Sequence, residues 1–457
     1  MSKKITTLTV VVILLFGISN AFATASRMEA LGNQGLYLTD DTNPYSNPSC
    51  QSYYPDRLSI HMGGIYGGDV SAIAGISLGL TDKMVLGLVV GGPGALVMIV
   101  EGGINTIKTN AILHNPYTLR PKAFNEYFED LLPLGSTPPS PNRVDTGWMN
   151  PIGAILAYKS GNTAVGLGYV FVNGKYEEND EISDTDLDEK AVMHAMQIGV
   201  STKMGKTMLE AWIHWYPYSV KSKYTDSVME SAEDLTGNRL NLAGRLIYSF
   251  SDTVTIVPAF SWERVTGDVN FDTTPDTDLG LAAPYDDLTE EALDQTYLLD
   301  EVITGLNIQY HTGGFFGLLI TGTVALEWNR WYRELEINET DFNSKHNEKE
   351  FLAPRAALGI EYWANKTFCF RAGVSTSTLW AATVVEDDNV DVDGTITEAI
   401  ETMETVQVTT AAVGLGLHFG KLLIDGTFGN MFLAGEDGDL MGDGPNLFSN
   451  LDLKVRW

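Results

Sequence analysis

Any chemistry in this chain has to come from a few scattered groups. The seven histidines are His61, His114, His194, His214, His311, His346 and His418. Glu210 and His214 stand four residues apart, so in a strand both fall on one face, and His418 lies near Asp425 across a hairpin. Either pair is an acid–base couple in kind, yet no nucleophile can be placed beside it. The stretch Asn389-x-Asp391-x-Asp393-Gly394 has the spacing of the start of a calcium loop. Ile400 occupies the position where such a loop needs its bidentate carboxylate, so a solvated acidic loop is preferred over a calcium site. Walker, zinc and dinucleotide motifs are missing. Neither an enzyme nor a cofactor is expected.

A second set of charged residues recurs inside segments of alternating hydrophobicity. Arg239, Arg245, Glu263, Glu327, Glu361, Arg371 and Arg456 are of mixed sign. Most sit between apolar residues, as Glu327, Glu361 and Arg371 do. In strands, that pattern places them together on a polar interior face as cross-strand ion pairs.

The elements that must hold them are hairpins. Leu240, Leu242, Leu246, Tyr248 and Phe250 alternate with Arg239, Asn241, Ala243 and Arg245. After Ser251-Asp252 the period resumes with Val254, Ile256, Phe260 and Trp262 against Thr255, Ala259, Ser261 and Glu263. Similar pairs turn at Thr81-Asp82-Lys83, Ser160-Gly161-Asn162, Met204-Gly205-Lys206, Thr312-Gly313-Gly314, Ala364-Asn365-Lys366 and Gly420-Lys421. Gly and Asn suit short hairpin loops because they tolerate positive φ. Every other connection is long: 115–148, 177–190, 223–236, 271–299, 337–349, 385–404 and 435–446. A soluble sandwich has no reason to keep that asymmetry, whereas an outer-membrane barrel has tight periplasmic turns and free outer loops.

The expected fold is therefore all-β, a transmembrane barrel over 57–457 with 14 to 16 antiparallel strands, 16 favoured. Strands of 10–13 residues match a tilted span of the hydrocarbon layer. The barrel must close, since an open edge in lipid leaves backbone groups unsatisfied. Aromatics cluster at both strand ends, as the two interfaces favour: Tyr158, Tyr248, Phe250 and Trp457 beside short turns, Trp215, Trp328 and Trp380 toward long connections.

The formal charge is −30. Segments 177–190, 271–301, 386–404 and 436–443 carry 30 acids and one base, Lys190, so nearly all of it sits on outer loops. Such a rim attracts cations, including divalent ones, and nucleic acid is excluded as a partner because phosphate contacts need the opposite sign.

At the N-terminus, Lys3 and Lys4 precede the apolar run Leu8–Ile18 and the small-x-small site Ala21-Phe22-Ala23. This marks residues 1–23 as a secretory signal peptide. Residues 24–56 contain Gly32, Gly35, Pro44, Pro48 and Pro55, too many breakers for a membrane strand. They also contain Leu31, Leu36, Tyr37, Leu38, Tyr45 and Tyr53, apolar groups that a free tail would not favour. Irregular backbone at membrane depth is tolerated inside protein or a wet cavity, so the segment is expected as a plug in the lumen. Asp40, Asp41 and Asn47 are expected to bond to lumen groups such as Arg239, Arg245 or Arg371. The two cysteines, Cys50 and Cys369, allow one bridge or two free thiols.

Gly32, Gly35, Asp40-Asp41 and Asn47-Pro48-Ser49, followed closely by a first strand, resemble the opening of the FadL-type superfamily of outer-membrane transporters, where Ala is usual in place of Ser49. Related secretion-shuttle barrels share the resemblance. It implies an N-terminal hatch, fourteen strands and hydrophobic substrates. The last strand alternates Leu451, Leu453, Val455 and Trp457 with Asn450, Asp452, Lys454 and Arg456. Leu453, Val455 and Trp457 resemble the address read by the barrel-insertion machinery, with the cations turned to the lumen.

The location expected is the bacterial outer membrane, with long loops outside and lipid and the insertion machinery as partners. Three functions stay open. The favoured one is passive uptake of hydrophobic or amphiphilic small molecules through a plugged barrel. A general diffusion porin would lack the plug and use 115–148, with its helix-like 123–132, as a constriction loop. The third is a surface or scaffold barrel acting through its acidic loops.

Overall fold

The computed structural model describes residues 25–32, 34–38, 43–64, 70–91, 151–180, 185–225, 229–275, 293–312, 317–337, 342–387, 400–432 and 450–457. The signal-peptide stretch, Asp40, Asp41, the Asn389–Gly394 motif and the whole of 115–148 lie outside them.

Two short helices, α1 (Ala25–Ala30) and α2 (Asn43–Ser46), and a 3-10 turn, Pro48–Tyr53, precede sixteen strands. These are β1 (Arg57–Gly64), β2 (Val70–Thr81), β3 (Met84–Gly91), β4 (Ile152–Ser160), β5 (Thr163–Asp180), β6 (Thr185–Met204), β7 (Thr207–Thr225) and β8 (Met229–Ser249). The second half is β9 (Val254–Pro275), β10 (Leu293–Thr312), β11 (Leu318–Ile337), β12 (Phe342–Trp363), β13 (Phe368–Asp387), β14 (Ile400–Phe419), β15 (Leu422–Phe432) and β16 (Asn450–Arg456). Each strand pairs antiparallel with its sequence neighbours, and β1 pairs with β16 through Leu58 opposite Val455, closing the barrel. The count is sixteen.

The described short turns are where Gly, Asn and Asp foretold them, and Gly313-Gly314 lies outside the described residues. Gly161, Gly205 and Gly420 hold φ of 58°, 62° and 63°, a region that a side chain disfavours. Period two then sorts each strand into two faces. On β6, Met196, Ile198 and Val200 are exposed while Ala195, Gln197 and Ser201 are buried. Leu167 and Val324 are likewise exposed, at 59% and 58%. An exterior of Leu, Ile and Val around a charged interior would aggregate in water and is stable in lipid. With aromatics at both margins, the molecule has the exterior of a multi-pass outer-membrane barrel.

Strand length departs from expectation. All nine strands from β6 to β14 run 19–22 residues rather than 10–13. The connections expected at 177–190, 223–236 and 337–349 are largely strand: Asp180 pairs with Thr185, Thr225 with Glu230, and Ile337 with Phe342. Cross-strand hydrogen bonding does not stop where the apolar band does. Residues such as Glu177, Asp188 and Lys221 alternate as strands do, and composition alone made them look like loop.

Candidate functional site

The described N-terminal segment crosses the lumen and is fastened to the wall at several places. At one end, α1 lies against β13 to β16. Arg27 Nε donates to Glu361 Oε2 at 2.6 Å, Arg371 Nε donates to the same oxygen at 2.7 Å, and Arg371 Nη1 donates to Asp425 Oδ1 at 2.5 Å. Two guanidinium and two carboxylate groups thus balance one another in a buried chain, which the low-dielectric interior requires.

Next, Gln34 Oε1 accepts from Asn307 Nδ2, Thr321 Oγ1 and Thr323 Oγ1 at 2.9, 3.0 and 2.6 Å. Arg245 on β8 forms the central anchor. Its Nε donates to Glu210 Oε2 at 2.7 Å, Nη1 to the carbonyls of Leu36 and Leu38 at 3.2 and 2.7 Å, and Nη2 to Asn43 Oδ1 at 3.0 Å. Leu36 and Tyr37 also pack with Trp212, Ala243, Ala259, Ile303 and Ala325 on the wall.

In the last part the 3-10 turn lies against β3 to β6, and α2 packs on that turn. His214 Nε2 meets the Ser46 carbonyl, which can only accept, so that nitrogen carries the proton. Its Nδ1 then accepts from the Tyr216 hydroxyl at 2.6 Å. Gln197 Nε2 donates to the Tyr45 carbonyl at 3.2 Å, and Gln51 Nε2 to Ser77 Oγ at 2.6 Å. The segment leaves the lumen at Asp56, whose carbonyl accepts from the Trp457 amide at 3.2 Å, beside the start of β1.

Glycines make room for this backbone. A Cβ on Gly166 would lie 2.2 Å from the Pro48 carbonyl carbon, one on Gly199 2.0 Å from Asn47 Oδ1, and one on Gly373 2.4 Å from the Gly32 nitrogen. Strand-interior glycine weakens a sheet and marks where another backbone approaches. All three are on inward positions. That parity was readable beforehand: Gly166, Gly168 and Gly199 alternate with Leu167, Ile198 and Val200.

Arg239, Arg245, Glu263, Glu327, Glu361 and Arg371 are all buried in the lumen. Arg239 Nη2 donates to Glu263 Oε2 at 2.8 Å, and Arg355 Nη1 to Glu327 Oε2 at 2.8 Å. Asn47 differs from expectation: its Nδ2 donates to the Val200 carbonyl at 3.4 Å, and no arginine is its partner. Its Oδ1 is taken up by the Ser49 amide and hydroxyl at 3.1 and 2.8 Å, capping the turn that Pro48 opens. Asn43, four residues earlier, takes the arginine contact instead.

Arg27, Gln34 and Arg355 completed these networks without standing out in the sequence. Arg456 is exposed at the rim rather than in the lumen, because it is the last residue of β16, whereas Lys454 is buried. Leu453 and Val455 are half-buried on the outer face, and Trp457 is exposed.

The acid–base couples do not form. Glu210 is spent on Arg245, and Asp425 on Arg371, while His418 is exposed against Trp363. Among the described residues no three His, Cys, Asp or Glu side chains are grouped to hold a metal ion. Both cysteines are buried free thiols. Burial, with Glu210 at hydrogen-bond distance, pushes the Cys50 thiol well above its ordinary range. Burial pushes the Tyr37 phenol up to about 12.

One region of the lumen wall is apolar. Ile73, Val89, Val170, Val172, Met193, Ala195 and Tyr216 form a buried cluster against which Tyr45 of α2 packs. Inward Val and Met are unusual in a barrel interior, which is ordinarily polar.

No protein-family model and no curated protein matches the sequence. Among solved structures the chain is similar to the Ralstonia pickettii toluene transporter TbuX, at 10% identity over 96% of this chain and 100% of that one, with a TM-score of 0.40. It is similar to a Pseudomonas aeruginosa FadL homologue, at 15% identity over 96% of each chain and a TM-score of 0.42. The Yersinia pestis ferric yersiniabactin uptake receptor FyuA gives 8% identity over 83% of this chain and 62% of that one, with a TM-score of 0.43. With TM-scores this low, the fold rests on the strand pairing and the function on the lumen itself.

Proposed function

We propose that the protein passes hydrophobic or amphiphilic small molecules passively across the outer membrane, through a barrel plugged by its own residues 24–56. On this reading residues 1–23 are the signal peptide that brings the chain to the membrane. The observation that carries it is the apolar lumen cluster of Val170, Val172 and Met193 lying directly against α2 of the N-terminal segment. A hydrated pore for ions has no use for such a wall, while a lipophilic solute gains by leaving water for it, by about 25 cal/mol per Å² of apolar surface buried. The segment's polar anchors keep the lumen filled, and a shift of α2 along the cluster opens a narrow apolar path.

The test is uptake of a lipophilic fluorescent probe by cells carrying Val172→Asp with Met193→Asp. The barrel's heat-modifiable gel mobility serves as the check on folding. Uptake is expected to fall several-fold with hydrophilic solute entry unchanged. A folded double variant that takes up the probe at the original rate contradicts the proposal.

A further inference from the structure

Gln197 brings one polar atom to the apolar lumen cluster. Its side chain is inward on β6 and 2% exposed. The Nε2 group donates to the Tyr45 carbonyl at 3.2 Å. A carbonyl can only accept, so this contact fixes which end of the amide is nitrogen. Oε1 is the other end, and among the described residues no donor reaches it. The neighbour best placed to supply one is His214, directly opposite on β7. Both of its ring nitrogens are spent, Nε2 on the Ser46 carbonyl and Nδ1 on the Tyr216 hydroxyl.

Register places that oxygen. β5 and β6 pair Val172 with Met193, Val170 with Ala195 and Gly168 with Gln197, successive inward rungs of one ladder. The first two rungs belong to the apolar cluster, and the next carries the amide at its edge. A Cβ on Gly168 would lie 2.6 Å from Oε1, so the oxygen rests over bare backbone. Tyr45, whose carbonyl holds the amide, itself packs against the cluster. One edge of an apolar wall therefore presents a buried acceptor without a donor, and folded proteins rarely leave such a group so. In small-molecule sites, a polar group placed among apolar ones orients the ligand.

The chemistry of the occupant follows from the acceptor. A pure hydrocarbon leaves Oε1 unpaired. A carboxylate brings oxygen against oxygen with no proton between them. An ammonium group must shed its water against Val170, Val172 and Met193, which offer it no counter-charge. A neutral hydroxyl supplies the donor and needs no counter-charge. Resting on the reading of this cluster as the solute path, we propose that it and Gln197 form a site for a neutral hydrophobic molecule bearing a hydroxyl, an alcohol or a phenol. The hydroxyl donates to Oε1, and the hydrocarbon part lies against Val170, Val172 and Met193.

The experiment uses the full-length barrel in lipid nanodiscs, dialysed against naphthol, methoxynaphthalene or naphthoate. Bound probe is read by fluorescence after subtraction of empty nanodiscs. At pH 7, below the ordinary phenol pKa of about 10, naphthol is neutral while naphthoate is charged. The expected result is naphthol held about fivefold more tightly than its methyl ether, the gain of one hydrogen bond, with naphthoate held least. In Gln197→Met, which keeps the length of the side chain and loses the acceptor, the preference for naphthol over the ether should vanish. Heat-modifiable gel mobility shows that the variant is folded. Equal binding of naphthol and ether by the unaltered barrel overturns the proposal, with or without the variant, and leaves the hydrophobic path standing. A naphthol preference that survives in folded Gln197→Met also overturns it. Binding of none of the probes above empty nanodiscs overturns the site and the path together.

Discussion

Arg245 and Glu210 stand opposite each other on β8 and β7 as an ion pair of 2.7 Å, with side chains 2% and 0% exposed. Glu210 neutralises the guanidinium, and the guanidinium spends its remaining donors on the carbonyls of Leu36 and Leu38 and on Asn43. One wall residue thus joins the barrel to the segment inside it.

Replacing Arg245 with Met is predicted to loosen that segment without opening the sheet. Removing one partner of a buried pair costs about 3–5 kcal/mol. Part of that loss falls on the plug, whose carbonyls lose their donor. Protease added from the short-turn side should cut within residues 25–53 of the variant at least tenfold faster than in the original, with the boiled and unboiled gel shift retained. Equal cleavage rates count against Arg245 as an anchor.

Gly199 provides a separable test, because its effect is steric rather than electrostatic. A Leu there places Cβ 2.0 Å from Asn47 Oδ1, in a strand otherwise able to accept it. The variant should insert as a barrel yet show the same protease sensitivity as the Arg245 variant. Gly205→Ala, at a turn with open space around its Cβ position, should not. If Gly199→Leu is as resistant as the original, the segment does not rest where described.

Cys50 reports on the same contact through its reactivity. A free thiol has a pKa of about 8.5 and is largely thiolate at pH 9. Burial and the neighbouring Glu210 raise that of Cys50, so its thiolate is absent through the range where ordinary thiols ionise. Maleimide labelling of the Cys369→Ala protein should stay slow and nearly flat between pH 7 and pH 9. In the Arg245→Met background it should be faster and rise with pH. Ready labelling of Cys50 in the original barrel would place it in contact with water.

The sixteen strands were legible because lipid leaves so few options. Residues such as Ile198 and Val200 had to alternate with Gln197 and Ser201, and the turns at Gly161, Gly205 and Gly420 announce themselves by composition. The lumen charges were legible for the same reason, since Glu327 and Glu361 sit between apolar neighbours. Partners were not. Nothing local says that Asn43 rather than Asn47 reaches an arginine, because that depends on where a 3-10 turn starts, and Ser49 claims Asn47 as its cap. The strand extensions beyond the membrane were missed because charge resembles loop composition, although Asp180 and Thr185 still pair. The seat for the N-terminal segment had a signal in the inward parity of Gly166 and Gly199. Its meaning emerges once a second backbone is seen against them.

The most direct measurement of the plugged-barrel account is single-channel conductance in planar bilayers, comparing the full-length mature protein with one lacking residues 24–50. The account predicts that the intact barrel passes almost no ions, and that the deletion opens a steady conductance of porin size while abolishing selective uptake of a lipophilic probe. An intact barrel that already conducts like an open porin, and conducts no differently after the deletion, would contradict it.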